Sequence, residues 1–193
     1  MSLQRPVDRP STWGRALAHT VVFVVLLWMV EFVDVVLGHR LDGFGVRPRS
    51  DEGLLGVLFA PLLHAGWAHL EANTVPVLVL GFLVLVTGVR RGLAATAVIW
   101  LVGGVGVWIV APPGEVHLGA SGLIFGWLVY LMIRGFFTRR AGEIILGLTL
   151  FFLYGGLLWG VLPGQPGVSW QGHLFGAIGG AVAARLLSER DPR

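Results

Sequence analysis

Six apolar stretches of roughly 17 to 23 residues, set apart by segments rich in arginine, proline or glycine, limit what this chain can fold into: 15–37, 68–88, 93–111, 121–137, 143–161 and 171–187. A helix of about 20 residues rises about 30 Å, the thickness of a bilayer's hydrocarbon core. With 55% hydrophobic and 13% charged residues among 193, the chain is too apolar for a soluble globule. The reading is an all-α polytopic membrane protein of six transmembrane helices. It has a short cytoplasmic tail at 1–14, a membrane domain at 15–187 and a short tail at 188–193. The first stretch is not trailed by a small-residue cleavage site, so a retained span is expected rather than a signal peptide. Every basic residue is an arginine, and with the N-terminus inside, eleven fall on inner segments against Arg40, Arg47 and Arg49 on outer ones. That bias sets the orientation. A net charge of +3 gives no basic groove for nucleic acid, and the absence of cysteine excludes a thiol nucleophile.

The polar residues inside this apolar pattern carry the functional signal. Gly119-Ala120-Ser121-Gly122 opens the fourth stretch, which places a hydroxyl at a helix N-terminus among residues with little side chain. Unpaired N–H groups and a partial positive charge make such an end able to hold an oxyanion. Taken alone, the motif reads first as an N-cap at Ser121, or as glycines that let helices pack closely. Near the C-terminus, His173 again heads an apolar stretch, with Gly176 and Gly180 at i+3 and i+7 on its face. Gly122 and Gly126 form a matching small-xxx-small pair on the serine helix. If Arg134 and Arg185 mark the inner interface, Ser121 and His173 lie about 20 and 18 Å above it, at one level.

His69 and Asn73, at i and i+4, project two donors from one face of the second stretch. His64 precedes them at a spacing that suits no common zinc motif, so no metal and no cofactor is expected. Glu31 and Asp34 share a face near the outer end of the first helix, where hydration or an arginine of the next segment is the expected partner. Segment 38–67 is long for a connection, and its Leu54–Leu63 part suits a structured element in the outer interface. His117 is read as a solvated residue of the loop before Ser121. The fifth stretch holds no polar residue of obvious purpose and runs into an uncharged Pro/Gly-rich loop, 162–169.

Three separated motifs, Gly119-Ala120-Ser121-Gly122, His173 with Gly176 and Gly180, and His69 with Asn73, resemble in type and order those of the rhomboid intramembrane serine proteases. The resemblance covers most of the chain. It implies Ser121 as nucleophile and His173 as general base, with His69, Asn73 and the Ser121 backbone N–H forming the oxyanion hole. No acidic residue lies beside His173 in sequence, so a dyad is expected rather than a triad. Phe125, at i+4 from Ser121, stands where the family carries an aromatic stacked on the histidine. His64 is read as structural. Leu55-Gly56 stands where the family often has a Trp-Arg pair, a departure that bears on how the long first loop is anchored. The implied partners are the lipid bilayer and the spanning segments of other membrane proteins, cut near the outer face, with the fifth helix and its loop as a lateral gate. The implied location is a bacterial inner membrane. Two rival readings remain: a rhomboid-like chaperone or binding protein without activity, and a small transporter using the polar groups as a relay.

Overall fold

The structure, a computed structural model, describes residues 11–165 and 167–188. Of the short tails expected at 1–14 and 188–193, residues 1–10 and 189–193 lie outside the described residues. The described residues are helical, apart from connecting segments and one isolated bridge between Val46 and His117. α1 spans Thr12–Val36, capped by Ser11, whose hydroxyl accepts the Gly14 N–H at 3.1 Å. A 3-10 turn, Leu41–Phe44, leads to α2 (Asp51–Phe59). α3 (Trp67–Pro76) and α4 (Phe82–Val86) form one rod joined through a π turn, Val77–Gly81. Pro76 explains that turn: its ring crowds the carbonyl one turn earlier and it has no N–H to donate, so the helix widens. α5 covers Val89–Val110, α6 Ser121–Thr138, α7 Ala141–Tyr154 and α8 Trp170–Leu187.

Each expected stretch coincides with a helix to within a few residues. The fifth differs in kind, because at Gly155 the α-helix tightens into a 3-10 segment, Gly155–Val161. Five of the helical rods are long and apolar enough to cross a membrane, those starting at Thr12, Trp67, Val89, Ser121 and Ala141. α8 is as long as α6, but Gln171, His173 and Arg185 dilute its apolar character.

α6 is the most buried of the five and packs chiefly on α8, α7 and α5. Its core residues Leu123, Leu128 and Leu131 are almost wholly covered, while α1 and α7 expose Val36, Phe152 and Leu153 outward. Apolar side chains facing out around a small-residue centre is the arrangement lipid permits. Arg134, expected at the inner interface, is enclosed by protein. It is 2% exposed and pairs with Glu143 at 3.1 Å, where Thr138 also donates to Glu143 at 2.7 Å, joining α6 to α7.

The segment before α3 is anchored without a Trp-Arg pair. The indole N–H groups of Trp100 and Trp108, on α5, donate to the Val57 and Ser50 carbonyls at 2.7 and 2.9 Å. Gly56 lies against the Gly45–Val46 backbone, where any Cβ would collide. Leu54, Leu55, Leu58 and Phe59 form the exposed face of α2.

Candidate active site

The turn that presents Ser121 is built by residues distant in sequence. Gly119 sits at φ +119, a conformation that favours glycine, and its N–H donates to the Ala60 carbonyl at 2.8 Å. The next amide, Ala120 N–H, donates to His64 Nε2 at 3.4 Å. Ser121 then enters α6 as its first residue, beside the N–H groups a helix leaves unpaired at its start.

α8 meets this turn through missing side chains. A Cβ on Gly176 would strike the Gly122 carbonyl, and one on Gly180 the Gly126 carbonyl. The two backbones therefore run in contact, and His173, one turn earlier, comes level with the serine. His173 Nε2 lies 2.9 Å from Ser121 Oγ. Its Nδ1 lies 2.9 Å from the Gly160 carbonyl. A carbonyl can only accept, so Nδ1 carries the proton and Nε2 is free to accept from the serine. Phe125 stacks on the imidazole, ring centres 4.0 Å apart and planes 8° from parallel. Gly160 fits because a Cβ there would lie 2.9 Å from Phe125 and 3.2 Å from His173 Nδ1.

His69 lies over Gly119, its Nε2 2.9 Å from where a Cβ on that glycine would stand. Ala65 N–H approaches His69 Nδ1 at 3.4 Å, which leaves the ring proton on Nε2, toward the serine turn. The Asn73 amide is buried and donates to the His69 carbonyl at 2.8 Å, so it is turned onto its own helix. A cavity of ≈ 50 Å³ opens beside Ser121, lined among others by His117, Ser169 and Gly172.

His117 is not solvated. It is 6% exposed, exchanges both backbone hydrogen bonds with Val46 at 2.8 and 2.9 Å, and its Nδ1 meets Ser169 Oγ at 2.8 Å. Ser169 in turn caps α8 by accepting the Gly172 N–H at 3.1 Å. A single imidazole thus ties the approach to the serine helix to the head of the histidine helix. Burial pushes its pKa down, partly opposed by Glu115 3.6 Å away. Gly160 and Ser169 escaped the sequence reading. Ser169 has a legible signal, a serine directly before an apolar helix. Gly160 has none, since its backbone oxygen does the work.

His64, 1% exposed, is held neutral: burial first, then the neighbouring His69, lower its pKa from 6.5 to about 4. An unfolded histidine binds a proton below about 6.5 while the folded one refuses it down to about 4, so stability is present above that window and falls as pH drops through it. The upper bound is about 3 kcal/mol, at 1.36 kcal/mol per pKa unit. Melting in detergent is expected to drop between pH 7 and 5 in wild type and less steeply in His64→Gln. Equal slopes would show that His64 does not carry the effect.

Comparison with known proteins places this architecture. A rhomboid domain model matches residues 51–190. An uncharacterized Mycobacterium tuberculosis protein is 48% identical over 97% of this chain and 86% of its own length. A Mycobacterium leprae protein is 49% identical over 86% of this chain and 69% of its own. A Bacillus subtilis protein named "Putative rhomboid protease YdcA" is 31% identical over 91% of this chain and 81% of its own. The chain belongs to the rhomboid family.

Proposed function

We propose that this chain is an intramembrane serine endopeptidase that cuts spanning segments of other membrane proteins, with Ser121 as nucleophile and His173 as general base. The observation that carries the reading is the 2.9 Å approach of Ser121 Oγ to His173 Nε2. A serine hydroxyl is a weak attacker until a neighbouring base takes its proton. Here the base has the required tautomer, because Nδ1–H donates to the Gly160 carbonyl, which stands in the place a carboxylate occupies in a triad. Attack on a peptide carbonyl moves the hydroxyl proton to Nε2, which returns it to the leaving amine; water then releases the acyl group by the same route. The cavity beside Ser121 offers room for such a water. No step needs a cofactor.

The developing oxyanion would meet the Ser121 N–H and the His69 ring. Asn73 spends one of its two amide N–H donors on the His69 carbonyl, leaving at most one for the oxyanion. His69→Ala is therefore expected to lower kcat/KM on a span-derived peptide about 100-fold, the scale for one oxyanion donor, and Asn73→Ala about tenfold or less. Steady-state kinetics on both variants checks the order, and a larger loss for Asn73→Ala would reverse the assignment.

The same reading makes 15–187 one membrane domain with α8 as the sixth span, both tails cytoplasmic and the site open to the outer side of a bacterial plasma membrane. The apolar outer face of α2 suits a helix lying in the interface. A substrate helix with all its backbone bonds made cannot present a carbonyl, so small or helix-breaking residues are expected around the cut. Incubation of the purified protein with a serine-directed phosphonate tests the assignment. Wild type is expected to be labelled and Ser121→Ala not; labelling unchanged in Ser121→Ala sinks the protease reading.

A further inference from the structure

The end of α1 carries a second group of ionisable side chains, which the proposed peptide chemistry does not use. Glu31 and Asp34 are each 1% exposed, one turn apart on the same face. Both are buried, and no arginine is paired with them among the described residues; the side chain that Asp34 meets is His39. The chain reverses through Gly38 and His39, at φ +68 and +61, and the following 3-10 turn returns Asp42 toward α1. His39 Nδ1 lies 3.4 Å from Asp34 Oδ2 and 3.9 Å from Asp42 Oδ2. Asp34 Oδ1 is fixed by the Leu41 N–H at 2.6 Å. One ligand atom from each of Asp34, His39 and Asp42 lies within 4.8 Å of the others.

Below them, both Glu31 carboxylate oxygens are buried without a hydrogen-bond donor, as is Asp42 Oδ1. Two buried carboxylates and a part-exposed third gathered near one imidazole leave acceptor oxygens that only protons or a cation can satisfy. The spacing favours a cation. Two ligand atoms about 2.1 Å from a shared ion at a tetrahedral angle stand about 3.4 Å apart. An imidazole among carboxylates selects a transition ion over calcium or magnesium, which take oxygen alone.

We propose that Asp34, His39 and Asp42 form a binding site for a divalent transition-metal ion of the Mn²⁺ or Zn²⁺ type, with Glu31 supplying further negative charge beneath it. The site does not depend on the activity proposed for Ser121. Bound there, the ion clamps the end of α1 to the turn that leads into α2.

The test is equilibrium binding of Mn²⁺ to chelator-stripped, detergent-solubilised full chain, read by the free-ion electron paramagnetic resonance signal. Wild type is expected to bind one ion per chain, and His39→Ala and Asp42→Asn at least about tenfold more weakly. Both residues are part-exposed, so neither change threatens the fold. A rise in melting temperature on adding Mn²⁺, absent in Asp42→Asn, is the second readout. No binding by wild type, or equal binding by wild type and both variants, overturns the site.

Discussion

Purified Ser121→Ala and His173→Ala proteins are expected to cleave a fluorogenic membrane-span substrate at least about 10³-fold more slowly than wild type, and the double variant no more slowly than either alone. Residues that act as one unit lose their combined contribution at the first deletion, so the losses do not add. The geometry supplies the reason. Ser121 and His173 share one hydrogen bond at 2.9 Å, and the imidazole is held by the Gly160 carbonyl behind it and Phe125 against its face. Neither alanine opens a contact between helix backbones, so melting temperatures should stay close to wild type. Turnover measured in proteoliposomes decides the matter, and a double variant much worse than both singles would show that the two side chains act separately.

Gly176→Ala is expected to lower both stability and turnover, the latter about 100-fold. Its methyl would be driven into the Gly122 carbonyl, a backbone atom that cannot rotate away. α6 and α8 must then part, at a cost of about 1–3 kcal/mol for overpacking a close contact. Parting the helices also stretches the bond between Ser121 and His173, and a shift near 1 Å is enough for a hundredfold loss. Gly142→Ala is the control, since its Cβ would meet nothing within 4 Å. Thermal unfolding and kcat measured on the pair check the claim; a Gly176→Ala protein that matches wild type in both would refute the close-packing account.

The helices were legible because lipid demands long apolar runs, and Gly122, Gly126, Gly176 and Gly180 were legible because close helix packing demands small residues at fixed spacing. What sequence concealed depends on contacts between distant segments. His117 looked solvated because its partners, Val46 and Ser169, are 71 and 52 positions away in the chain. The 3-10 segment after α7 could not be separated from a continuing helix, since Gly155 and Gly156 are tolerated in either. Asp34, His39 and Asp42 follow no ligand spacing; a turn at Gly38 and His39 brings them together. His64 reads in sequence as structural without a visible partner, because that partner, the Ala120 amide, lies 56 residues on.

The Gly160 carbonyl belongs to a stretch that makes few buried contacts and faces outward with Trp159 and Leu162. A substrate that displaced this stretch on its way to Ser121 would carry off the acceptor that keeps the His173 proton on Nδ1. The doorway and the proton switch would then be one part, so that a half-admitted chain meets an unprimed imidazole and cutting waits until the doorway has shut again.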